Sequence, residues 1–531
     1  MVGGCLGWIE SKLRMWEHCC NEPMKVEYRQ AKPLSFNAHY DVLPKSLCKV
    51  TQSRVLLLRR AWVGQLIQIK VNVVIDSGSG YLWKSRSRSR QTSGAAVKKP
   101  ELWRVQLLFK HSHEAILIQV GSRQFAIEVV QTLQSAGHQA LWAGGCVRDQ
   151  LLDRKPKDFD VATSANPDQV REVFGKARTL SIGASFGVIT VLGPQGSGAD
   201  PIEVATFRRD GGYSDGRRPD TVEFTDAKED ALRRDFTING MFFDPIESKV
   251  IDYVGGKEDL KAQVVRAIGD PNERIEEDKL RMLRAVRFAS TFEFELESQT
   301  LKAVQQHAAK IDVVSGERIG AEMRRMLAGP NRAVAMELLR TSKLLEEILP
   351  GGASLYSDSE NWELTLDALR VLGESDFSAA AAIALGPIVS EQGVEEIAER
   401  WKLSNDERKS IHWICQNQEA LTSAHQKRWS EIQPLLLRPD AKRTLAVVSA
   451  FANAAVPKNS DALEAVSFCQ ERLTWPKEKL NPQPLLDGAD LIKLGIERGP
   501  KFKQILSAVR DAQLNGEIES VEQARELAVG I

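Results

Sequence analysis

The sequence predicts an α+β fold, a small mixed β-sheet with helices packed against it, followed by a region that is helical throughout. Two observations carry the sheet. Between residues 125 and 260, short apolar runs such as 141–143 and 201–207 alternate with helical spacings such as FAIEVVQTLQSAGH at 125–138. Strands that alternate with helices in sequence build a sheet covered by helices. The third observation concerns the rest of the chain. Beyond Thr291, SQTLKAVQQHAAKI, GERIGAEMRRMLAG and NRAVAMELLRTSKLLEEILP repeat apolar residues at helical spacing, with breaks at Gly316, Gly329-Pro330 and Pro350. Helices joined by short connections follow from that pattern.

Length and composition set the bounds. At 531 residues the chain exceeds the roughly 100–200 residues of one domain. Its 43% hydrophobic and 27% charged content is that of an ordinary globular protein. The 71 basic and 71 acidic residues cancel, so any nucleic-acid binding must come from local patches. The charge is uneven along the chain: residues 1–120 hold 19 of the basic and only 8 of the acidic residues. The seven cysteines, Cys5, Cys19, Cys20, Cys48, Cys146, Cys415 and Cys469, lack a paired metal-ligand spacing and read as reduced cytosolic thiols. No apolar run approaches the roughly 18–20 residues of a membrane span. Glu10, Lys12, Arg14 and Glu17 interrupt any signal-peptide core.

Residues 1–120 lack sustained periodicity and include the Ser-Arg run KSRSRSR at 84–90. They read as an unstructured extension or an upstream start that is not the natural one, with a basic RNA-binding arm as the functional alternative. Short strands are expected at 71–75 and 115–120.

The stretch 141–163, LWAGGCVRDQLLDRKPKDFDVAT, is the organising element of the chain. An apolar strand leads into Gly144-Gly145, where the chain turns into a helix carrying Val147, Leu151 and Leu152 inward. A second strand, 159–162, returns behind Pro156. Asp158 and Asp160 stand two apart, which in a strand puts both carboxylates on one face. Like charges this close repel unless a cation lies between them, and magnesium takes oxygen ligands of this kind. Asn166-Pro167 starts a further helix, and 185–192 reads as a strand after Gly183. In PIEVATF, Ile202 and Val204 alternate with Glu203 and Ala205, so Glu203 is a candidate third carboxylate on a neighbouring strand. RRDGGYSDGRRPDTVEF at 208–224 is rich in Gly, Asp and Arg and reads as a loop. LRRDFTINGMFFDP then brings Arg233, Arg234, Asp235 and Asn239 together. Guanidinium forks bind phosphate oxygens, and Asn or Asp can bond ribose hydroxyls.

In this combination and order, the Gly-Gly turn, Arg148-Asp149 and Asp-x-Asp pair resemble the nucleotidyltransferase signature of the bacterial-type (class II) tRNA CCA-adding enzymes and bacterial poly(A) polymerases. The resemblance extends through RRD with Asn239, IDYVGGKEDL at 251–260, EEDKLRMLRAVRF at 276–288, GERIGAEMRRML and the C-terminal segment from 485. Where the family usually has Ala this sequence has Gly240. Gly183-Ala-Ser-Phe-Gly187 is similar to the GxxFG element of the CCA-adding branch.

The resemblance implies a polymerase-β-like head at 121–270, a helical neck at 271–350 that binds the nucleotide base and RNA, and a helical body and tail at 351–531 that bind tRNA. It implies catalytic Asp158 and Asp160 holding Mg2+, and a triphosphate grip from Gly144, Gly145 and Arg148. Arg233, Arg234, Asp235 and Asn239 would meet phosphate and ribose. Asp252, Gly255 and Gly256 would form a flexible spring acting indirectly.

On the helix 276–288, Leu280, Leu283 and Val286 mark the buried side, while Asp278, Arg281 and Arg284 share another face. The family's matching Asp and Arg pair with the incoming base, and the chemistry agrees. Cytosine and adenine each set an amino donor beside a ring acceptor, which an acceptor-only Asp next to a donor-only Arg complements. Uracil and guanine reverse that order. Arg284 would serve stacking or phosphate. Near the end, Gly499-Pro500 opens a helix with Lys501 and Lys503, where RNA phosphate could sit.

The expected activity is template-independent addition of C and A residues from CTP and ATP to the 3′ end of tRNA, in a cytoplasmic enzyme. The same motifs are compatible with a poly(A) polymerase, with a CC-adding or A-adding enzyme, and with an RNA-binding protein that has lost catalysis.

Overall fold

The computed structural model describes residues 66–73, 103–110, 121–194, 197–212, 221–349, 358–374, 376–386 and 391–531. The chain divides into two compact units, residues 1–125 with 193–200 and residues 126–192 with 201–531. In the first, β1 (Leu66–Val73) pairs antiparallel with β2 (Trp103–Lys110). The strand expected at 71–75 thus begins earlier. The Ser-Arg run and the strand expected at 115–120 lie outside the described residues.

The second unit contains a seven-stranded sheet. Helix α1 (Ser122–Ser135) leads into it and ends ahead of Gly137, whose φ of 89° suits a residue without a Cβ. The strands are β3 (Ala140–Ala143), β4 (Asp160–Thr163), β5 (Thr179–Gly183), β6 (Val188–Val191), β7 (Ile202–Thr206), β10 (Phe242–Asp244) and β11 (Lys249–Ile251), in the order β11-β10-β3-β4-β7-β6-β5. Only β4 and β7 run parallel; the other pairings are antiparallel. The sheet is therefore mixed, as expected. Leu141, Ala143, Ala162, Phe207 and Phe242 pack with Ala227 and Ala231 into its core. Trp142, fully buried, lies 4.8 Å from the ring of Phe159.

Local chemistry explains the boundaries. Helix α2 (Gly145–Leu151) follows the Gly turn directly. Helix α3 (Pro167–Phe174) has a reciprocal cap: the Asn166 side chain accepts from the Gln169 amide and the Gln169 side chain from the Asn166 amide, both at 2.9 Å. The strand expected at 185–192 is confined to β6, because Ala184–Phe186 forms a 3₁₀ turn. The segment expected as a loop at 208–224 contains a hairpin, β8 (Arg208–Gly211) with β9 (Thr221–Phe224). Ladder hydrogen bonds and the Arg209–Glu223 cross-strand ion pair at 2.6 Å override the loop-like composition of that stretch.

Beyond the sheet, α4 (Ala227–Leu232) and α5 (Gly256–Ala262) precede the helical region. That region starts with α6 (Pro271–Glu277), α7 (Leu280–Phe292), α8 (Ser298–His307) and α9 (Gly316–Leu327). Leu280, Leu283 and Val286 of α7 are buried as the spacing predicts. Gly316 opens α9 after an interruption of the helical run, as expected. The NRAVAMELLRTSKLLEEILP stretch is two helices, α10 (Arg332–Thr341) and α11 (Leu344–Ile348), separated at Lys343 with φ of 63°. Helices then continue to the C-terminus. Among them Phe377–Leu385, FSAAAAIAL, is buried on every side, as a helix apolar all round must be.

Candidate active site

The site is assembled where β3 ends and β4 and β7 begin. Register fixes its carboxylates: Asp160 pairs directly with Glu203 across the parallel β4–β7 ladder, and Asp158 precedes Asp160 by two residues. All three residues are exposed. The Asp160 carboxyl keeps solvent access at the strand end, yet the protein beneath it removes part of its water. That desolvation, then the charges of Asp158 and Glu203, push its pKa up to about 6, against the pull of Arg234.

Among the described residues no three His, Cys, Asp or Glu side chains form a ready-made metal cage. The donors nevertheless fit a hard cation. Magnesium commonly takes one or two carboxylates and completes its shell with water and substrate phosphate, and the mutual repulsion at Asp160 is the charge a cation would relieve. Cys146, next to this edge, is no competing ligand. Its buried thiol donates to the Ala143 carbonyl at 3.3 Å, and burial pushes its pKa up to about 12. Cys146, Cys415 and Cys469 are all free and buried.

The turn beside the carboxylates requires glycine. Gly144 has φ of 70°, its amide donates to the Met241 carbonyl, and a Cβ there would lie 3.1 Å from Nη1 of Arg234. After it, the Val147 and Arg148 amides bond back to the Gly144 carbonyl, leaving those of Gly145 and Cys146 ahead of the intrahelical ladder, as at any helix start. The inward face of α2 differs from the expectation. Cys146, Val147 and Arg148 are buried, whereas Leu152 is half-buried and Leu151 exposed. A helix of two turns presents only its first turn to the sheet.

Arg148 sits behind the turn rather than out in the cleft. Its Nη1 donates to Asn239 Oδ1 at 2.6 Å, its Nε and Nη2 donate to Asp149, and its guanidinium lies 4.5 Å from the centre of the Phe292 ring. Asn239, itself buried, passes the contact on by donating to Asp235 Oδ1 at 3.1 Å. The other oxygen of Asp235 accepts from Arg284 Nε at 2.8 Å. Burial raises the Asp235 pKa, but Arg284 and Asn239 outweigh it and hold the carboxyl down at about 2.

Arg233 and Arg234 share one buried carboxylate that sequence reasoning missed. Asp230 Oδ1 accepts from Arg233 at 2.7 Å and Oδ2 from Arg234 at 2.9 Å. Burial works against its charge, and the two arginines overcome that to leave its pKa below the ordinary range. The available signal was the spacing, since Asp230 lies three and four residues before the pair.

The glycine turn at 255–256 is fastened by Asp252, whose carboxylate accepts from the amides of Val254, Gly255, Gly256 and Lys257 at 2.9–3.1 Å. A Cβ on Gly256 would fall 2.2 Å from the Thr237 carbonyl, one turn from Asn239. Gly240 is closely packed but against side chains, since an added Cβ would meet Val254 at 2.7 Å and Ile268 at 2.9 Å.

The structure corrects one placement in the neck. Asp278 is not on the helix of Arg281 and Arg284; it lies between α6 and α7, with φ of −147°. Its Oδ1 accepts from the Leu280 amide at 3.1 Å, and a side chain that caps the following turn competes with helix continuation. Arg281 donates to Glu277 at 2.5 Å and, through Nη2, to the Arg233 carbonyl at 3.1 Å, so α7 is tied to the chain just after α4. Asp278 and Arg281 flank one junction, while Arg284 serves Asp235. Lys501 and Lys503 lie far along the chain, exposed in the first turn of the helix Pro500–Leu514. No helix of the described residues is long and apolar enough to cross a membrane.

Comparisons with known proteins agree with this architecture. Residues 140–266 match the family described as "Poly A polymerase head domain" and residues 293–355 the family described as "Probable RNA and SrmB- binding site of polymerase A". The class is thus that of the poly(A) polymerase-type nucleotidyltransferases. The chain is 32% identical over 409 residues to the CCA-adding enzyme of Lactobacillus helveticus, covering 76% of this chain and 95% of that one. To the CCA-adding enzyme of Pediococcus pentosaceus it is 35% identical over 407 residues, 74% of this chain and 93% of the relative. The crystal structure of the Bacillus stearothermophilus CCA-adding enzyme in complex with CTP superposes with a TM-score of 0.62 at 29% identity, covering 77% of this chain and 96% of that one. The chain belongs to the CCA-adding enzyme family.

Proposed function

We propose that this chain adds C and A residues, taken from CTP and ATP, to the 3′ end of tRNA without a nucleic-acid template. One observation carries the reading: Asp160 pairs in register with Glu203 and lies within electrostatic reach of Asp158, Glu203 and Arg234, whose Nη1 is 3.1 Å from where a Cβ on Gly144 would be. Likeness to CCA-adding enzymes over nearly their whole length supports it.

In the proposed reaction the RNA 3′-hydroxyl attacks the α-phosphate in line and pyrophosphate leaves. Magnesium bound by Asp158 and Asp160, with Glu203 as a candidate third ligand, would supply Lewis-acid stabilisation of the attacking and leaving oxygens. Gly144 and Gly145 let the backbone approach the triphosphate. Arg234 and Arg233, aimed by Asp230, meet phosphate and ribose. Arg148, Asn239, Asp235 and Arg284 form a chain that holds the glycine turn against the neck. Asp278 and Arg281 read the base: Asp accepts from the amino group of cytosine or adenine, and Arg donates to the adjacent ring nitrogen.

We assign residues 121–270 to the catalytic head, 271–350 to the neck and 351–531 to the body and tail, with Lys501 and Lys503 as RNA-phosphate contacts. Residues 1–120 are assigned as an extension outside the catalytic machinery. A cytoplasmic location agrees with the free buried thiols.

The test is purified protein with magnesium and either tRNA lacking its terminal CCA or tRNA ending in CC, given CTP, ATP or both, and product lengths read on a gel. Addition of three nucleotides only when both are present is expected. A long A ladder would make it a poly(A) polymerase, a stop after two C a CC-adding enzyme, a single A only on tRNA already ending in CC an A-adding enzyme, and no extension a binding protein.

A further inference from the structure

We propose that Arg318 is a positioning residue for base selection, holding Asp278 in the orientation in which it accepts the exocyclic amino group of the incoming nucleotide. The inference rests on the base-reading role proposed for Asp278 and Arg281 and adds the group that aims them.

Arg318 Nη1 donates to Asp278 Oδ1 at 3.1 Å and its Nη2 to Oδ2 at 2.7 Å, a two-pronged fork that fixes the plane of the carboxylate. Oδ1 also accepts from the Leu280 amide at 3.1 Å. A carboxylate offers about four acceptor sites, two per oxygen. Arg318 and Leu280 fill both sites of Oδ1 and one of Oδ2, leaving a single acceptor position on Oδ2. One remaining acceptor suits one N–H of an amino group. A carboxylate free to rotate would instead present several positions and discriminate less.

Arg281 is pinned in parallel, by Glu277 at 2.5 Å and by the carbonyls of Arg274 at 2.8 Å and Arg233 at 3.1 Å. The donor and acceptor halves of the reading pair are thus both set by third parties before a nucleotide arrives.

Arg318 is itself rigidly placed. It lies in the first turn of α9, whose Gly316 and Gly320 sit four apart on one face against the backbone of Arg400 and Trp401. An added Cβ would fall 2.6 Å from the Arg400 carbonyl oxygen at Gly316 and 2.0 Å from that of Trp401 at Gly320. Two residues on from Gly316, roughly 200° round the helix, Arg318 projects from the opposite side toward Asp278. Arg324, farther along α9, forks onto Glu407 at 2.6 and 2.7 Å, so the helix that aims Asp278 is tied to the helical body.

The experiment measures single-nucleotide addition by the full chain to tRNA lacking CCA, comparing CTP with UTP, for wild type, Arg318→Met and Arg318→Lys. Thermal unfolding of each variant is followed alongside. Arg318→Met is expected to lower the preference for CTP over UTP by at least about tenfold, the scale of one hydrogen bond to a charged group. KM for CTP should rise more than kcat falls. If Arg318→Met does not fold, Arg318→Lys, which keeps the charge but not the fork, decides the question by the same loss of preference. Two results overturn the proposal: an unchanged CTP/UTP preference in the folded variant even with reduced rate, which marks Arg318 as merely structural, or a lower KM for CTP, which marks it as a competitor of the base. Either leaves wild-type CCA addition intact. Failure of wild type to add C would instead overturn the function proposed for the chain.

Discussion

The sheet edge and the neck are built on opposite electrostatic plans. At the edge, Asp158, Asp160 and Glu203 are exposed carboxylates that repel one another, and Asp160 is raised to about 6 as a result of desolvation and that repulsion. In the neck, charge meets countercharge: Arg284 with Asp235, Arg318 with Asp278, Arg281 with Glu277, and Arg287 with the buried Glu322. The difference teaches a division of labour. On the proposed reading, the edge would be completed electrostatically by cation and phosphate, whereas the charges around Asp278 and Arg281 are already paired. Preorganisation belongs where selection is made, and unrelieved charge where a ligand must bind.

The largest effect should come from the edge. Asp158→Ala combined with Asp160→Ala is expected to reduce nucleotide incorporation by at least about 10³-fold, roughly 4 kcal/mol of transition-state stabilisation, while tRNA binding in a mobility-shift assay persists. Turnover near the wild-type rate in the double variant would remove the metal assignment.

The neck should answer in stability. Asp235→Ala leaves the half-buried Arg284 without its partner, which costs about 1–3 kcal/mol and should lower the thermal midpoint. Asp235→Asn should show the same pairing through pH. The folded pKa of Asp235, about 2, lies below that of an ordinary Asp, about 4. Its contribution is therefore fully present above the unfolded value and is lost as pH falls through the folded one. The stability gap between wild type and Asp235→Asn should stay constant above about pH 5 and narrow between roughly 4 and 2. A gap independent of pH would break the contrast between a paired neck and an unpaired edge.

A smaller effect is expected behind the sheet edge. Gly240→Ala forces a Cβ against Val254 and Ile268, an overpacking of about 1–3 kcal/mol. Adding Val254→Ala should recover part of the lost thermal midpoint. Least of all, Lys501→Ala or Lys503→Ala should weaken tRNA binding only a few-fold and reduce the salt dependence of binding by up to about one counterion each. An unchanged salt slope would take these lysines out of the RNA interface.

Much of the edge was legible in sequence because strand geometry is periodic. Alternation in PIEVATF placed Ile202 and Val204 inward and Glu203 outward, as found, whereas Asp158 lies just ahead of β4, which begins at Asp160. The hairpin 208–224 was not legible, since Gly, Asp and Arg suit a loop and only strand pairing overrides them. Asp278 was misplaced onto a helix for a related reason. Spacing by three fits a helical face, yet the Leu280 amide and the Arg318 fork hold Asp278 at a break between two helices.

By itself the sequence determined the mixed sheet, the helical remainder and which residue types could do chemistry, because these follow from local periodicity and side-chain inventory. Only the tertiary structure decided their company. It put Glu203 beside Asp160, gave Arg148 to Asn239 and joined Arg318 to Asp278 across 40 residues. Partner choice of this kind depends on which buried charges can be satisfied at once in three dimensions, and no local pattern encodes that.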